Sequence, residues 1–322
     1  MAKHHTKAVA KRLIKQHRPR IIKPEALCIG PTKTGTTWLF NNLRQHPQIW
    51  VPPVKELEFL SEGCIVPRHS IINLLFSASY RRMRMRLKEK IKRCFSPYHQ
   101  DQFFDKQTQW LLNYTFGKRS YEWYSGLFPV TPRLCIDITP SYYYLPERRI
   151  KEHKAYNPKT KIIIIIRNPI ERVWSHARMI FCKDKGRSLD KVGQTEFINL
   201  FDNVYQHWLP YSQTIALWQT YFDDVCVEFY DRLNESPTTF FRNICTFLGI
   251  DETVVPRNLN QRVNEGLRET VPLAFRQYLY NQYAPEMNAL ADNGIGYARQ
   301  WLEEHHMLTN RDLPIVKCSE GN

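Results

Sequence analysis

No apolar run in these 322 residues is long enough to cross a bilayer. The longest purely aliphatic stretch is the five isoleucines Ile162–Ile166, against the roughly 20 residues a spanning helix needs. No apolar h-region follows the basic N-terminus, which argues against a secretory signal. The eight cysteines lie at least 19 positions apart and form no C-x-x-C pair, so neither a zinc site nor a thioredoxin-like centre is indicated. Cys28, Cys135 and Cys226 fall inside strand-like runs, where buried thiols commonly stay free, and a reduced, cytoplasmic setting is the expectation. The eleven histidines show no H-x-x-H or H-E-x-x-H spacing, so no metal is expected in the chemistry. Acids are missing from two segments. Residues 1–24 carry eight Lys/Arg and no acid, and residues 81–93 carry eight Lys/Arg and one Glu, while the remainder holds 30 basic and 30 acidic side chains. The net charge of +15 therefore belongs to one tail and one insert. A non-catalytic nucleic-acid-binding protein would have to act through those two segments alone, and no nucleic-acid partner is expected.

What is present suits a globular protein: 43% hydrophobic and 24% charged residues. Short β-rich runs alternate with longer helical patterns, which predicts an α/β domain with a central parallel sheet flanked by helices. Strands are predicted at Ala26–Ile29, Leu134–Asp137, Lys161–Ile166 and Val225–Phe229, the third covered on both faces. Helices are predicted at Thr36–His46, Pro169–Phe181, Pro237–Leu248 and Ala274–Leu290. The second is signed by Asn168 as N-cap, Pro169 in the first turn and Glu171 three past the cap. Residues 61–130 and 185–222 read as helical inserts, the first within a single domain spanning 25–310. Residues 1–24 form a basic, disordered tail in this reading, and 311–322 a C-terminal tail.

Two segments carry chemistry. The first strand runs into GPTKTGTTW, Gly30 to Trp38, and then into a helix. Strand, glycine-containing loop and helix in that order aim backbone N–H groups and a helix N-terminus at a phosphate. Gly30-x4-Gly35 has Walker A spacing, but Thr36 stands where that motif carries its lysine, and Lys33 lies inside the loop instead. The Walker lysine serves the β- and γ-phosphates, so this loop is poorly equipped for a nucleoside triphosphate. The second segment is IIIIIRNPIERVWSH, Ile162 to His176. Arg167 ends a strand, and Asn168, Arg172 and Ser175 share a helix face at i, i+4 and i+7. An arginine at a strand tip and a serine hydroxyl on the next helix can hold a phosphate together.

These segments resemble the two phosphate sites of the sulfotransferases that use 3′-phosphoadenosine-5′-phosphosulfate (PAPS). GPTKTGTTWLFNNLRQHP is similar to that family's 5′-phosphosulfate loop, and the Arg167 segment to its 3′-phosphate site. The resemblance implies a fold like that of P-loop kinases. It assigns Lys33, Thr34, Gly35, Thr36 and Thr37 to the 5′-phosphosulfate, and Arg167 with Ser175 to the 3′-phosphate. Trp38 either stacks on the adenine, as the matching residue does in cytosolic relatives, or packs in the core. WVPPVKELEFL, Trp50 to Leu60, is similar to the segment that carries a catalytic Glu in heparan-sulfate-type and related bacterial members, which places that acid on Glu56. Glu58, two further along an extended segment, points the same way. IDITPSYYY resembles the family's Glu-Lys-Thr-Pro-x-Tyr segment, with Asp137 in place of Glu and Ile138 in place of Lys. That change removes a cation some heparan-type members use, so a heparan acceptor is not inferred. VCVEFYDRL, a helix ending in FLGID, and Val263-Asn264 extend the likeness over most of 25–305. The cytosolic steroid and phenol enzymes match less well, having His where this chain has Glu56.

The implied reaction is sulfonyl transfer from PAPS to a hydroxyl or amine, with 3′,5′-diphosphoadenosine as product. Glu56 would take the acceptor's proton and Lys33 would neutralise charge on the departing oxygen. Asp137 has three readings: a Walker B acid holding Mg²⁺ in an alternative NTP-dependent kinase, a strand-end acid near the acceptor, or a partner for a neighbouring Arg. His46, before Pro47, reads as a helix C-terminal residue rather than a catalyst. Residues 81–93 are either a solvated helix or a contact for an anionic saccharide, a lipid headgroup or a membrane surface. The acceptor and the oligomeric state are left open by the sequence.

Overall fold

Five isoleucines in a row leave no polar face for water, so their strand needs cover on both sides. In the computed structural model, which describes residues 22–61, 106–184, 192–205, 210–261 and 270–311, all five are fully buried. They form strand β4, as numbered below, and alternate between two cores. Ile162, Ile164 and Ile166 enter one apolar cluster, Ile163 and Ile165 the other. Burying each such side chain contributes about 1.5–3 kcal/mol, which makes this strand the spine of the domain.

In chain order, β1 (Ala26–Gly30) leads to α1 (Thr36–Leu43) and a two-residue β2 (Ile49–Trp50). Helices α2 (Lys106–Phe116) and α3 (Tyr121–Ser125) precede β3 (Leu134–Ile138), a 3₁₀ turn Pro140–Tyr144 and α4 (Glu147–Tyr156). Strand β4 (Lys161–Ile166) feeds α5 (Pro169–Arg178), which widens into a π-helical turn, Met179–Asp184. Then come α6 (Gln194–Leu200), a second π turn (Phe201–Tyr205), α7 (Tyr211–Tyr221) and β5 (Val225–Phe229). The described chain closes with α8 (Tyr230–Glu235), α9 (Pro237–Leu248), α10 (Leu273–Asp292) and α11 (Ala298–Arg311).

The strands pair in parallel in the order β2-β3-β1-β4-β5. Helices α1 and α9 cover one face through Leu39, Leu43, Phe240, Ile244 and Leu248. Val173, Ala177, Ile215, Trp218 and Leu279 of α5, α7 and α10 cover the other. Because β1 is flanked by β3 on one side and β4 on the other, the loops leaving β1 and β4 diverge at their C-terminal ends. Sheets of this kind bind ligands in the crevice so formed.

The structure departs from the sequence expectations at several ends. Helix α1 stops at Leu43, because the next turns tighten: Gln45 N–H bonds Asn42 O at 3.0 Å and His46 N–H bonds Leu43 O at 3.0 Å. Asn168 caps α5, its Oδ1 accepting from Ile170 N–H at 3.0 Å, but Glu171 turns away from the cap to Arg276 at 2.6 Å. Residues 22–24, assigned to the disordered tail, are tied down: Pro24 O accepts from Asn157 Nδ2 at 2.9 Å, and the Lys23 ammonium bonds Tyr156 O. The basic segment 81–93, most of the tail 1–24, Val263-Asn264 and residues 312–322 lie outside the described residues.

Candidate active site

The anion loop is built by two left-handed glycines. Gly30 (φ 89°) ends β1 where a Cβ would stand 2.7 Å from Pro140 Cα, and Gly35 (φ 90°) starts α1 where a Cβ would stand 2.7 Å from Leu233 Cδ2. Between them Lys33 is also left-handed, at φ 69°. Thr34, fully buried, donates its hydroxyl to Pro31 O at 2.7 Å and closes the loop on itself. No side chain caps α1 at its N-terminus. The first-turn N–H groups of such a helix have no intrahelical partner and, with the helix dipole, favour an anion. Thr36 is buried and Thr37 half-buried in that turn.

Arg167 reaches this loop from the tip of β4. Its Nη1 donates to Lys33 O at 3.3 Å, and its guanidinium lies 4.5 Å from the centre of the Tyr230 ring. Glu171 stands 3.9 Å from Arg167 Nη2, but its closer partner is Arg276. Tyr211, from α7, donates its hydroxyl to Arg167 O at 2.8 Å. Thus the two segments that the sequence singled out, more than 130 residues apart, meet through one hydrogen bond. Ser175 is half-buried two turns into α5 and makes no hydrogen bond to the other candidates among the described residues.

Glu56 arrives from the opposite side. Lys55 Nζ donates to Thr36 Oγ1 at 3.3 Å and forms an ion pair with Glu56, whose side chain is 41% exposed. Lys55 was missed in the sequence; a lysine directly beside the assigned acid was the available signal. The extended geometry expected for this segment is not found. Glu56 (φ 67°) and Glu58 (φ 54°) are both left-handed. The kinks are held from outside: Leu57 N–H bonds Thr139 Oγ1 at 3.0 Å, Phe59 N–H bonds Tyr142 Oη at 3.1 Å, and Arg119 Nη1 bonds Leu57 O at 3.1 Å. Leu57 and Phe59 are buried while both glutamates stay partly exposed, so the alternation survives without a strand.

A family model described as the sulfotransferase family matches residues 24–253, well over half of the chain. The chain belongs to the sulfotransferase family. Two curated relatives, heparan sulfate glucosamine 3-O-sulfotransferase 6 of Mus musculus and of Homo sapiens, are each 27% identical to it, over 157 and 164 residues. Those matches cover 46% and 47% of this chain and 45% and 47% of the relatives, so the chain spans about half the length of the curated relatives it matches. Among solved structures, a sulfotransferase from Alicyclobacillus acidocaldarius shares the fold at a TM-score of 0.55 and 19% identity, covering 85% of this chain and 96% of that one. One from Mycobacterium avium does so at 0.51 and 15%, covering 87% and 81%.

Within this sulfotransferase-family domain, three further residues have defined surroundings. Trp38 packs in the core: it is 6% exposed, lies edge-on to Phe240 and Phe241, and donates its indole N–H to Leu259 O at 3.0 Å. His46 is structural, since Gln48 N–H bonds its Nδ1 at 3.2 Å and its Nε2 lies 2.8 Å from Asp251 O. Asp137 pairs with no arginine among the described residues. It is fully buried and accepts from three hydroxyls: Thr139 Oγ1 at 2.7 Å, Tyr124 Oη at 2.8 Å and Tyr142 Oη at 2.9 Å. Burial pushes its pKa up, and the three hydroxyls pull it back. Nor do the described residues contain a cluster of His, Cys, Asp or Glu fit to hold a metal ion.

Arg172, on the same helix as Ser175, serves the core. Burial works against its charge, yet the tyrosines around it, Tyr211, Tyr144, Tyr143 and Tyr283, raise its pKa above the ordinary arginine value. Its guanidinium lies 5.0 Å from the ring centre of Tyr211, the residue that holds Arg167 O.

Proposed function

We propose that this chain moves a sulfonyl group from PAPS to a hydroxyl or amine of an acceptor. The observation that carries this reading is the convergence of an uncapped helix N-terminus, Arg167 on the loop carbonyl of Lys33, and Lys55 bridging Thr36 to Glu56. Backbone N–H groups and cations line this loop, with the partly exposed carboxylate of Glu56 beside Lys55. Those residues fit a doubly phosphorylated donor: Lys33 to Thr37 at the 5′-phosphosulfate, Arg167 and Ser175 at the 3′-phosphate.

PAPS supplies an activated S–O bond to a phosphate leaving group. Glu56 takes the proton of the acceptor as its oxygen or nitrogen bonds to sulfur and the S–O bond to the nucleotide breaks. Lys33 and the first-turn amides of α1 stabilise the charge gathering on the leaving oxygen. Anchoring the donor at both phosphates fixes the line of attack, a positional effect able to supply a large share of the barrier reduction. Lys55 holds Glu56 against the loop.

The curated relatives are named for a hydroxyl of heparan sulfate glucosamine, which makes a saccharide hydroxyl the first acceptor to try, although Ile138 removes the cation noted above. A reducing, cytoplasmic location accords with Cys28, Cys135, Cys226 and Cys245 being free thiols. Incubation with radiolabelled PAPS and a panel of saccharides, lipids and phenols tests the reading, and label should appear in one class. EDTA should leave that transfer within about twofold of its starting rate. Turnover of ATP that EDTA abolishes and Mg²⁺ restores would overturn the assignment in favour of a kinase.

A further inference from the structure

We propose that Asp137 is a positioning residue for the loop that carries Glu56, acting through Thr139 and Tyr142. This rests on the reading of Glu56 as the proton acceptor.

Two of the three hydroxyls on Asp137 are occupied on their other side. Thr139 Oγ1 receives the N–H of Leu57 at 3.0 Å and donates to Asp137 Oδ1 at 2.7 Å. Tyr142 Oη receives the N–H of Phe59 at 3.1 Å and donates to Asp137 Oδ2 at 2.9 Å. An amide N–H can only donate, so the direction of both chains is fixed: backbone to hydroxyl to carboxylate. Each chain needs a terminus that accepts and offers no hydrogen of its own. A carboxylate is that group, and its charge strengthens the bonds along each chain.

The two amides thus anchored alternate with the two left-handed residues, Glu56 and Glu58. Left-handed backbone at non-glycine residues is disfavoured and persists where the surroundings over-determine it. The carbonyls of the same stretch are held as well. Arg119 Nη1 bonds Leu57 O, Arg149 Nε bonds Leu60 O at 2.9 Å, and Arg149 Nη2 bonds Phe59 O at 3.3 Å. Asp137 is the buried terminus of the amide side of this clamp, and Glu56 leaves the clamp paired with Lys55, which also bonds Thr36.

Tyr124 supplies the internal control. Its hydroxyl bonds Asp137 Oδ2 at 2.8 Å, as the Tyr142 hydroxyl does, but receives no loop amide among the described residues, and its ring stacks on Phe59 at 4.6 Å, a contact that Tyr124→Phe keeps. The experiment compares Thr139→Val, Tyr142→Phe, Tyr124→Phe and Asp137→Asn. It follows label from PAPS into heparan sulfate or 2-naphthol, whichever the wild type uses, with 3′,5′-diphosphoadenosine affinity by calorimetry and amide exchange over 55–61. Thr139→Val and Asp137→Asn should lower kcat roughly 10- to 100-fold, the scale of a small misplacement of a catalytic group. KM for PAPS and nucleotide affinity should stay within about twofold, and exchange at Leu57 should speed up. Tyr142→Phe should expose Phe59 to exchange in the same manner, and Tyr124→Phe should stay within about threefold of wild type.

If Tyr124→Phe loses as much kcat as Thr139→Val, the cluster is ordinary core packing and the proposal fails. It fails too if Thr139→Val frees the Leu57 amide while kcat holds. Should Asp137→Asn not fold, the three hydroxyl deletions still decide. A wild type that neither moves label nor binds 3′,5′-diphosphoadenosine refutes the donor reading instead, and exchange at Leu57 and Phe59 then settles the anchoring by itself.

Discussion

Removing the Arg167 guanidinium should separate recognition of the 3′-phosphate from general support of the loop. Arg167 is mostly buried, with 16% of its side chain exposed. It makes a long bond to Lys33 O at 3.3 Å and rests on Tyr230 at 4.5 Å. Neither contact distinguishes one nucleotide from another. The bond contributes about 1 kcal/mol at most and the stacking roughly 0.5–1 kcal/mol. Their loss in Arg167→Ala should weaken 3′,5′-diphosphoadenosine and 5′-AMP alike. A charged contact to the 3′-phosphate adds about 1.5–3 kcal/mol for the former ligand alone, or roughly 10- to 150-fold. The decisive quantity is therefore the ratio of the two dissociation constants, measured by titration calorimetry at low and moderate salt. In the wild type it should strongly favour the diphosphate, and in Arg167→Ala it should fall by that factor. Arg167→Lys keeps a charge but loses the planar fork and the flat stack on Tyr230, so it should fall between. Equal weakening of both ligands would show that Arg167 merely braces the loop, and the 3′-phosphate assignment would be wrong.

Glu56→Gln should lower kcat by about two orders of magnitude or more while leaving nucleotide affinity near wild type; Glu58→Gln should change little, and the reverse pattern would put the assigned acid out of register by two. Gly35→Ala places a Cβ 2.7 Å from Leu233 Cδ2 at φ 90°, so it should cost about 2–4 kcal/mol and lower the melting midpoint by several degrees. An unchanged midpoint would contradict the loop geometry. Burial lowers the His153 pKa to about 3, so between that value and about 6.5 the unfolded chain takes up a proton that the native state refuses. Unfolding free energy should fall with decreasing pH below about 6.5, by up to roughly 1.4 kcal/mol per unit, and His153→Gln should flatten the slope seen by chemical denaturation.

Strands β1, β3, β4 and β5 were legible to within a residue because each is a short, mostly apolar run. Helix α9 was legible to the residue, with Ser236 capping it and Gly249 (φ 77°) ending it. Strand β2 was not, since two residues carry no periodicity. Helix α4 was not either: only Ile150 and His153 of its ten residues are buried, too few for an apolar stripe. The same division holds in the site. The loop Gly30–Thr37 and the tip at Arg167 are each contiguous, so their residue types and spacing were readable. The left-handed turns at Glu56 and Glu58 were not, because their hydrogen-bond partners Thr139, Tyr142 and Arg149 lie some 80–90 positions away. Trp38 sits in a motif that allowed two uses, and its packing on Phe240 and Phe241 was hidden because those rings lie some 200 positions away.

The place of β1 at the middle of the sheet bears on how the chain folds. Ala26 pairs with Ile136 on one side and Lys161 on the other, so the central strand meets its neighbours only after more than a hundred residues have been ordered or looped out. Such high contact order slows folding, because the entropy of closing the loop is lost before the pairing returns any stability. Emerging from the ribosome, β1 must wait for β4 before the Arg167–Lys33 tie can form, and until then one edge of the apolar strand stays unpaired. The anion pocket is accordingly among the late features of folding, and a ligand that occupies it selects molecules whose central sheet is already complete.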